Sequence, residues 1–242
     1  MNYKCIIEYD GSNFNGWGKQ PGQRTVQGEI ETAVFKIFEI PVNITCAGRT
    51  DKGVHALGQV INFKAPEIDT QKLTLRLNSL LPKDISVKSI KQADGLFDAR
   101  KSAAAKTYLY LIYNSPVRSP VYEHRTFHIS GRLDTAEMKK AAKFLQAKRD
   151  YSAFDSYNSI FDYKIVDLQR VKVLKKGKFT VILVKGDRFL YRMVRKIAGE
   201  LVRIGCSKQN LKNLKNAILS KNRSKIGKPA PACGLYLHKV HY

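Results

Sequence analysis

Apolar positions recur along the first hundred residues in two rhythms. Residues 3–9 form a short run of β-formers, and the glycine-rich stretch 11–24 after them predicts a long loop. Thr25 stands where a helix N-cap belongs. Val26, Ile30, Val34 and Ile37 then fall at helical spacing, which predicts a helix through about Glu39. Residues 42–47 and 56–63 read as strands on either side of the polar loop 48–53. Residues 70–80 read as a helix and 85–90 as a strand. The order is strand, helix, strand, strand, helix, strand.

The rest of the chain repeats this order loosely. Residues 107–113 predict a strand with alternating tyrosines, and 134–145 a helix. Residues 168–174 and 179–185 predict a hairpin turning at Lys175-Lys176-Gly177-Lys178. Helices follow at 190–204 and 210–219, and a strand at 234–240. The pattern predicts an α+β fold of two ferredoxin-like (β-α-β-β-α-β) halves, residues 1–102 and 103–242. Their largely antiparallel sheets are expected to join into one, with an active-site cleft between the halves. In the segment 190–204, Leu190, Val194, Ile197, Leu201 and Ile204 share a stripe, with Arg188, Arg192, Arg195 and Arg203 opposite. Arg188, Arg192 and Arg195 have no carboxylate three or four residues away, so they read as available to phosphates. The alternative is an ordinary amphipathic helix with a solvated face.

Charge sharpens the picture. The 242 residues hold 43 Lys+Arg against 20 Asp+Glu, a net charge of +23. Residues 1–100 carry 13 basic and 11 acidic side chains, whereas residues 101–242 carry 30 and 9. An excess confined to one half points to a polyanion, nucleic acid foremost, with a lysine-rich background or an anionic membrane surface as alternatives. The hydrophobic fraction of 43% excludes a disordered tail protein. Cys5, Cys46, Cys206 and Cys233 lie far apart, which argues against a zinc site or a secreted disulfide framework. No apolar run approaches the about 20 residues of a membrane span. The first ten residues read as a strand and not as a signal peptide. The expectation is a soluble, cytoplasmic protein with no membrane partner.

The candidate chemistry sits in Cys46-Ala47-Gly48-Arg49-Thr50-Asp51-Lys52-Gly53-Val54-His55-Ala56. A loop between adjacent strands is where catalytic side chains are commonly presented. Arg49 and Lys52 flank Asp51 and favour its ionised, nucleophilic form. The alternative is an Asx-turn in which Asp51 caps its own backbone. His55 reads either as a general base or as a structural residue at a strand start. No phosphate-binding loop, dinucleotide fingerprint, nucleophile elbow or metalloprotease helix motif is present in the sequence.

Residues 47–56, with Gly58-Gln59-Val60 after them, closely resemble the active-site loop of the TruA-type tRNA pseudouridine synthases. Glu8-Tyr9-Asp10-Gly11-Ser12, Gly16-Trp17 and Thr25-Val26-Gln27 are similar to the opening segments of that family. Phe97-Asp98-Ala99-Arg100, Lys106-Thr107-Tyr108-Leu109-Tyr110, Phe189, Met193-Val194-Arg195, Gly199 and Gly234-Leu235-Tyr236-Leu237 match in order. The resemblance implies Asp51 as nucleophile, Tyr108 against the target uracil and Arg195 as the partner of the aspartate. It implies an RNA contact from Arg49, and Lys52, Arg188 and Arg192 are read as further RNA-binding candidates. It further implies a cofactor-free isomerisation of uridines at positions 38, 39 and 40 of the tRNA anticodon stem-loop, carried out by a homodimer. A non-catalytic RNA-binding protein on the same scaffold is the competing reading. Two departures bear on RNA contacts: Gly18-Lys19-Gln20 after the tryptophan, and Lys106-Thr107 before the tyrosine.

Overall fold

Both helices of the first hundred residues start at a side chain that caps them. Thr25 Oγ1 accepts from Gly28 N at 3.3 Å to open α1 (Val26–Phe38), and Asp69 accepts from Lys72 N at 2.8 Å to open α2 (Thr70–Leu80). Each cap satisfies one of the amides that a helix start leaves without a partner. α1 buries Val26, Ile30, Ala33 and Val34; α2 buries Leu73 and Leu77. The structure is a computed structural model describing residues 1–156 and 164–242.

These helices belong to a unit formed by Met1–Ala104 and Tyr236–Tyr242. Its strands are β1 (Asn2–Tyr9), β2 (Thr45–Cys46), β3 (His55–Lys64), β4 (Ile85–Ala93) and, from the end of the chain, β11 (Leu235–His241). β1 pairs antiparallel with β3 and with β4, and β2 pairs antiparallel with β3. β11 runs parallel to β3, with Tyr236 opposite His55. A Cβ on Gly58 would lie 2.6 Å from His238 O, so a side chain there would push β11 off β3. Two expectations change. The closing strand lies with the first unit, whereas the sequence reading gave all of 103–242 to the second half. The expected strand over residues 42–47 shrinks to Thr45–Cys46, because Val42 and Asn43 bury no apolar face against β3.

The second unit is Ala105–Leu235. It contains β5 (Ala105–Asn114), β6 (Phe127–Ile129), β7 (Lys148–Asp150), β8 (Ile165–Asp167), β9 (Arg170–Lys176) and β10 (Phe179–Gly186). Its helices are α3 (Thr135–Leu145), α4 (Met193–Gly205) and α5 (Leu211–Leu219). Asp134 and Asn210 cap α3 and α5. β10 pairs antiparallel with β5 and β9, β6 runs parallel to β5, and β7 with β8 forms a separate ribbon. The register sets Tyr108 opposite Val184 and Tyr110 opposite Ile182, and one face of the sheet is buried with α3 and α4 against it. Gly177, at φ 57°, turns the β9–β10 hairpin.

α4 departs most from expectation. It begins at Met193 because Arg192 adopts the left-handed conformation (φ 57°) and breaks the helical run; Arg188 and Leu190 precede the helix. The face opposite the leucines is not a solvated stripe. Every α4 residue except Arg195 and Arg203 is buried, including Lys196 and Glu200.

Candidate active site

The Asp51 loop is strapped down from both ends. Ala47 N donates to Val60 O at 2.9 Å, and Gln59, fully buried on β3, donates through Nε2 to Gly48 O at 2.7 Å. On the far side, Val54 N closes a turn onto Asp51 O at 3.1 Å, with Gly53 at φ 76° supplying the bend. The residue before the aspartate is held twice. Trp17 N donates to Thr50 O at 3.0 Å, and the Thr50 and Tyr9 hydroxyls pair at 2.8 Å.

The glycine-rich stretch explains itself in this contact. Gly16 has φ 88°, and a Cβ there would lie 2.8 Å from Thr50 O and 3.2 Å from Lys52 N. Gly11 presses on the other end of the loop, where a Cβ would collide with Val54 O. Arg24 anchors the base of the stretch. Its guanidinium forks onto Asp84 at 2.7 and 2.9 Å, its Nε reaches Glu29 at 2.8 Å, and its plane covers Phe14. Asp51 is thereby fixed half-buried between exposed Arg49 and Lys52.

His55 is 2% exposed and stacks on Tyr236 at 4.5 Å. Its Nδ1 lies 3.1 Å from Gly11 N and 3.1 Å from Asp10 Oδ1. The ring neutral at Nδ1 accepts from Gly11, and protonation there turns the same atom into a donor for Asp10. These contacts make His55 a support of the loop.

In the second unit, Tyr108 is 8% exposed on β5 and meets Phe189 edge-to-face at 5.1 Å. Gly186 makes room for that ring, since a Cβ would come within 3.1 Å of Phe189 Cζ. Asp187 holds the turn beneath by accepting from Arg188 N at 2.7 Å and from Asp167 N at 2.9 Å. Arg188 is half-buried in this turn, and exposed Arg192 lies over the Tyr191 ring. Arg195, in the first turn of α4, donates through Nε to Ala230 O at 2.8 Å while Ala230 N donates to Arg195 O at 3.0 Å. The first unit thus gathers Arg49, Asp51 and Lys52 in one loop, and the second carries Tyr108, Arg188, Arg192 and Arg195.

The profile of the tRNA pseudouridine synthases matches residues 5–100 and 141–242. The chain belongs to the tRNA pseudouridine synthase family. A tRNA pseudouridine synthase A of Acetivibrio thermocellus is 41% identical over 242 residues, covering 100% of this chain and 99% of its own. The protein of that name from Caldicellulosiruptor saccharolyticus is also 41% identical over 242 residues, with the same coverage. That of Colwellia psychrerythraea is 38% identical over 248 residues, covering 100% of this chain and 94% of its own.

In this tRNA pseudouridine synthase the sequence marks the charged groups of the candidate site and not the residues that hold their loop. Gly16, Gly11 and Gln59 hold the loop through contacts to its backbone; all three stand in the motifs that carry the resemblance, but nothing in the sequence marks this supporting role. Lys19, one of the two departures, pairs with Glu31 at 2.9 Å, and Lys106 is half-buried on β5 opposite Gly186. Among the described residues, no group of three or more His, Cys, Asp or Glu could hold a metal ion, and no helix is long and apolar enough to cross a membrane.

Proposed function

We propose that this family member isomerises uridine to pseudouridine in the anticodon stem-loop of tRNA, with Asp51 as the nucleophile. The observation that carries the reading is the clamped loop. Its backbone is fixed on both sides of half-buried Asp51, which exposed Arg49 and Lys52 flank in the chain. A nucleophile held in one place spares the reaction the cost of orienting it.

The reaction rearranges bonds within one nucleotide. The N1–C1′ bond breaks, a C5–C1′ bond forms, the C5 proton leaves and N1 gains one. Asp51 serves by attack at C6 of the uracil or at C1′ of the ribose. Flipping the nucleotide from a stem costs a few kcal/mol, and stacking on Tyr108 returns about 1–3 kcal/mol. Arg195 is assigned to the nucleophile as a charge partner that keeps it ionised once RNA excludes water. Arg49, Lys52, Arg188 and Arg192 are assigned to phosphates. The antiparallel order β4-β1-β3-β2 supports reading the first half as ferredoxin-like. A homodimer and a cytoplasmic location complete the proposal.

The test is to incubate the protein with unmodified tRNA transcripts, digest to nucleosides and map pseudouridine by position. Pseudouridine in the anticodon stem-loop supports the reading. Pseudouridine confined to other sites overturns its substrate assignment, and RNA binding without any pseudouridine overturns the enzyme reading.

A further inference from the structure

We infer that Tyr110 is a positioning residue for Arg195, acting through the backbone of residues 230–231. The inference rests on the role proposed above for Arg195. Tyr110 lies two residues beyond Tyr108 on the same face of β5 but is fully buried, with its ring edge-to-face with Phe127. Its hydroxyl donates to Pro231 O at 2.8 Å, a partner 121 residues away. The preceding carbonyl, Ala230 O, receives Arg195 Nε at 2.8 Å, and Ala230 N returns a bond to Arg195 O at 3.0 Å. Two consecutive carbonyls are therefore aimed by two side chains, and Pro231 stiffens the link by fixing φ near −50°.

The surroundings are built to keep this strand of chain in place. A Cβ on Gly199 would lie 2.9 Å from Lys228 O, so the segment rests directly on α4. A Cβ on Gly234 would lie 2.7 Å from the Tyr110 ring. Upstream, the buried carboxylate of Glu200 accepts from Gly227 N at 2.7 Å and from Arg203 at 2.6 Å. Removing the Tyr110 hydroxyl leaves Pro231 O without its donor and loosens the carbonyl that aims the guanidinium. Burial holds the phenol well above its ordinary range, so it remains a donor throughout the working pH range.

The test measures tritium release from tRNA labelled at uridine C5 under single turnover, together with tRNA Kd, for Tyr110→Phe, Arg195→Ala and the double variant. Tyr110→Phe is expected to lower the single-turnover rate about tenfold and to change Kd less than about twofold. The double variant is expected to match Arg195→Ala alone, as two residues acting as one unit do. A rate for Tyr110→Phe equal to wild type, or an effect that adds to that of Arg195→Ala, overturns the inference. A wild-type rate for Arg195→Ala overturns the Arg195 assignment instead. If Tyr110→Phe is unfolded at the assay temperature, Pro231→Ala carries the same comparison, because it keeps the carbonyl and unlocks φ. A wild-type rate there, or additivity with Arg195→Ala, overturns the inference equally.

Discussion

Gly16 shows how a residue with no chemistry of its own holds the loop that carries the proposed nucleophile. Its positive φ costs an L side chain about 1–2 kcal/mol, and the Cβ would then sit 2.8 Å from Thr50 O. Gly16→Ala is expected to shift the Asp51 loop, because the contact is backbone against backbone and neither side can turn away. The expected outcome is a fall of about a hundredfold in tritium release, since a displacement of about 1 Å costs that much. Circular dichroism should show the fold retained at assay temperature. A Gly16→Ala protein with wild-type release would mean that the strap does not set the nucleophile. At this scale the sequence was legible for groups that carry charge. Asp51, Arg49 and Lys52 stand together in the chain, so spacing sufficed to join them. The supporting roles of Gly16, Gln59 and Tyr110 were not legible, because their partners are distant in sequence and all three are plain carbonyls.

At the scale of elements, the helix cap at Thr25 was read from the sequence, and those at Asp69, Asp134 and Asn210 follow the same local rule, each side chain bonding an amide only two or three residues ahead. The start of α4 was not. Arginine rarely takes a left-handed conformation, so nothing in the sequence at Arg192 announces the break. The short strands β6, β7 and β8 escaped for a related reason: three residues are too few to show a period. α4 also looked amphipathic while being buried nearly all round, because its polar face is covered by residues 226–231 and by paired charges. Lys196 donates to Asp155 O at 2.9 Å, and Glu200 takes Arg203 and Gly227 N. Glu200→Ala is expected to cost about 2–3 kcal/mol, since it strands the Gly227 amide while Arg203 can turn to solvent. Denaturant unfolding measures this. A cost below about 0.5 kcal/mol, the size of an ordinary surface substitution, would contradict the account.

For the whole molecule, the buried acids make stability depend on alkaline pH. Burial raises the Cys5 thiol from 9.0 to about 12, and raises Cys46, despite the nearby Arg49 charge, to about 11. Both thiols are therefore protonated in the folded state where the unfolded chain would ionise them. Their contribution is complete below pH 9.0 and is lost as pH rises toward about 11 and 12. Cys5→Ala with Cys46→Ala is expected to flatten the fall in unfolding free energy above pH 9, with the lysines titrating alike in both proteins. Identical slopes would contradict this. The net charge of +23 was plain in the sequence, and so was its concentration in residues 101–242. The return of β11 to the first unit was not, because a closing strand carries no mark of the strand it will join.

The central claim is that Asp51 performs the chemistry. Its most direct test is tritium release from tRNA labelled at uridine C5, comparing wild type with Asp51→Ala at equal RNA occupancy. Release by wild type and none by Asp51→Ala, with both proteins folded and RNA-bound, is the predicted result. Equal release from the two would contradict it and remove the nucleophile from this loop.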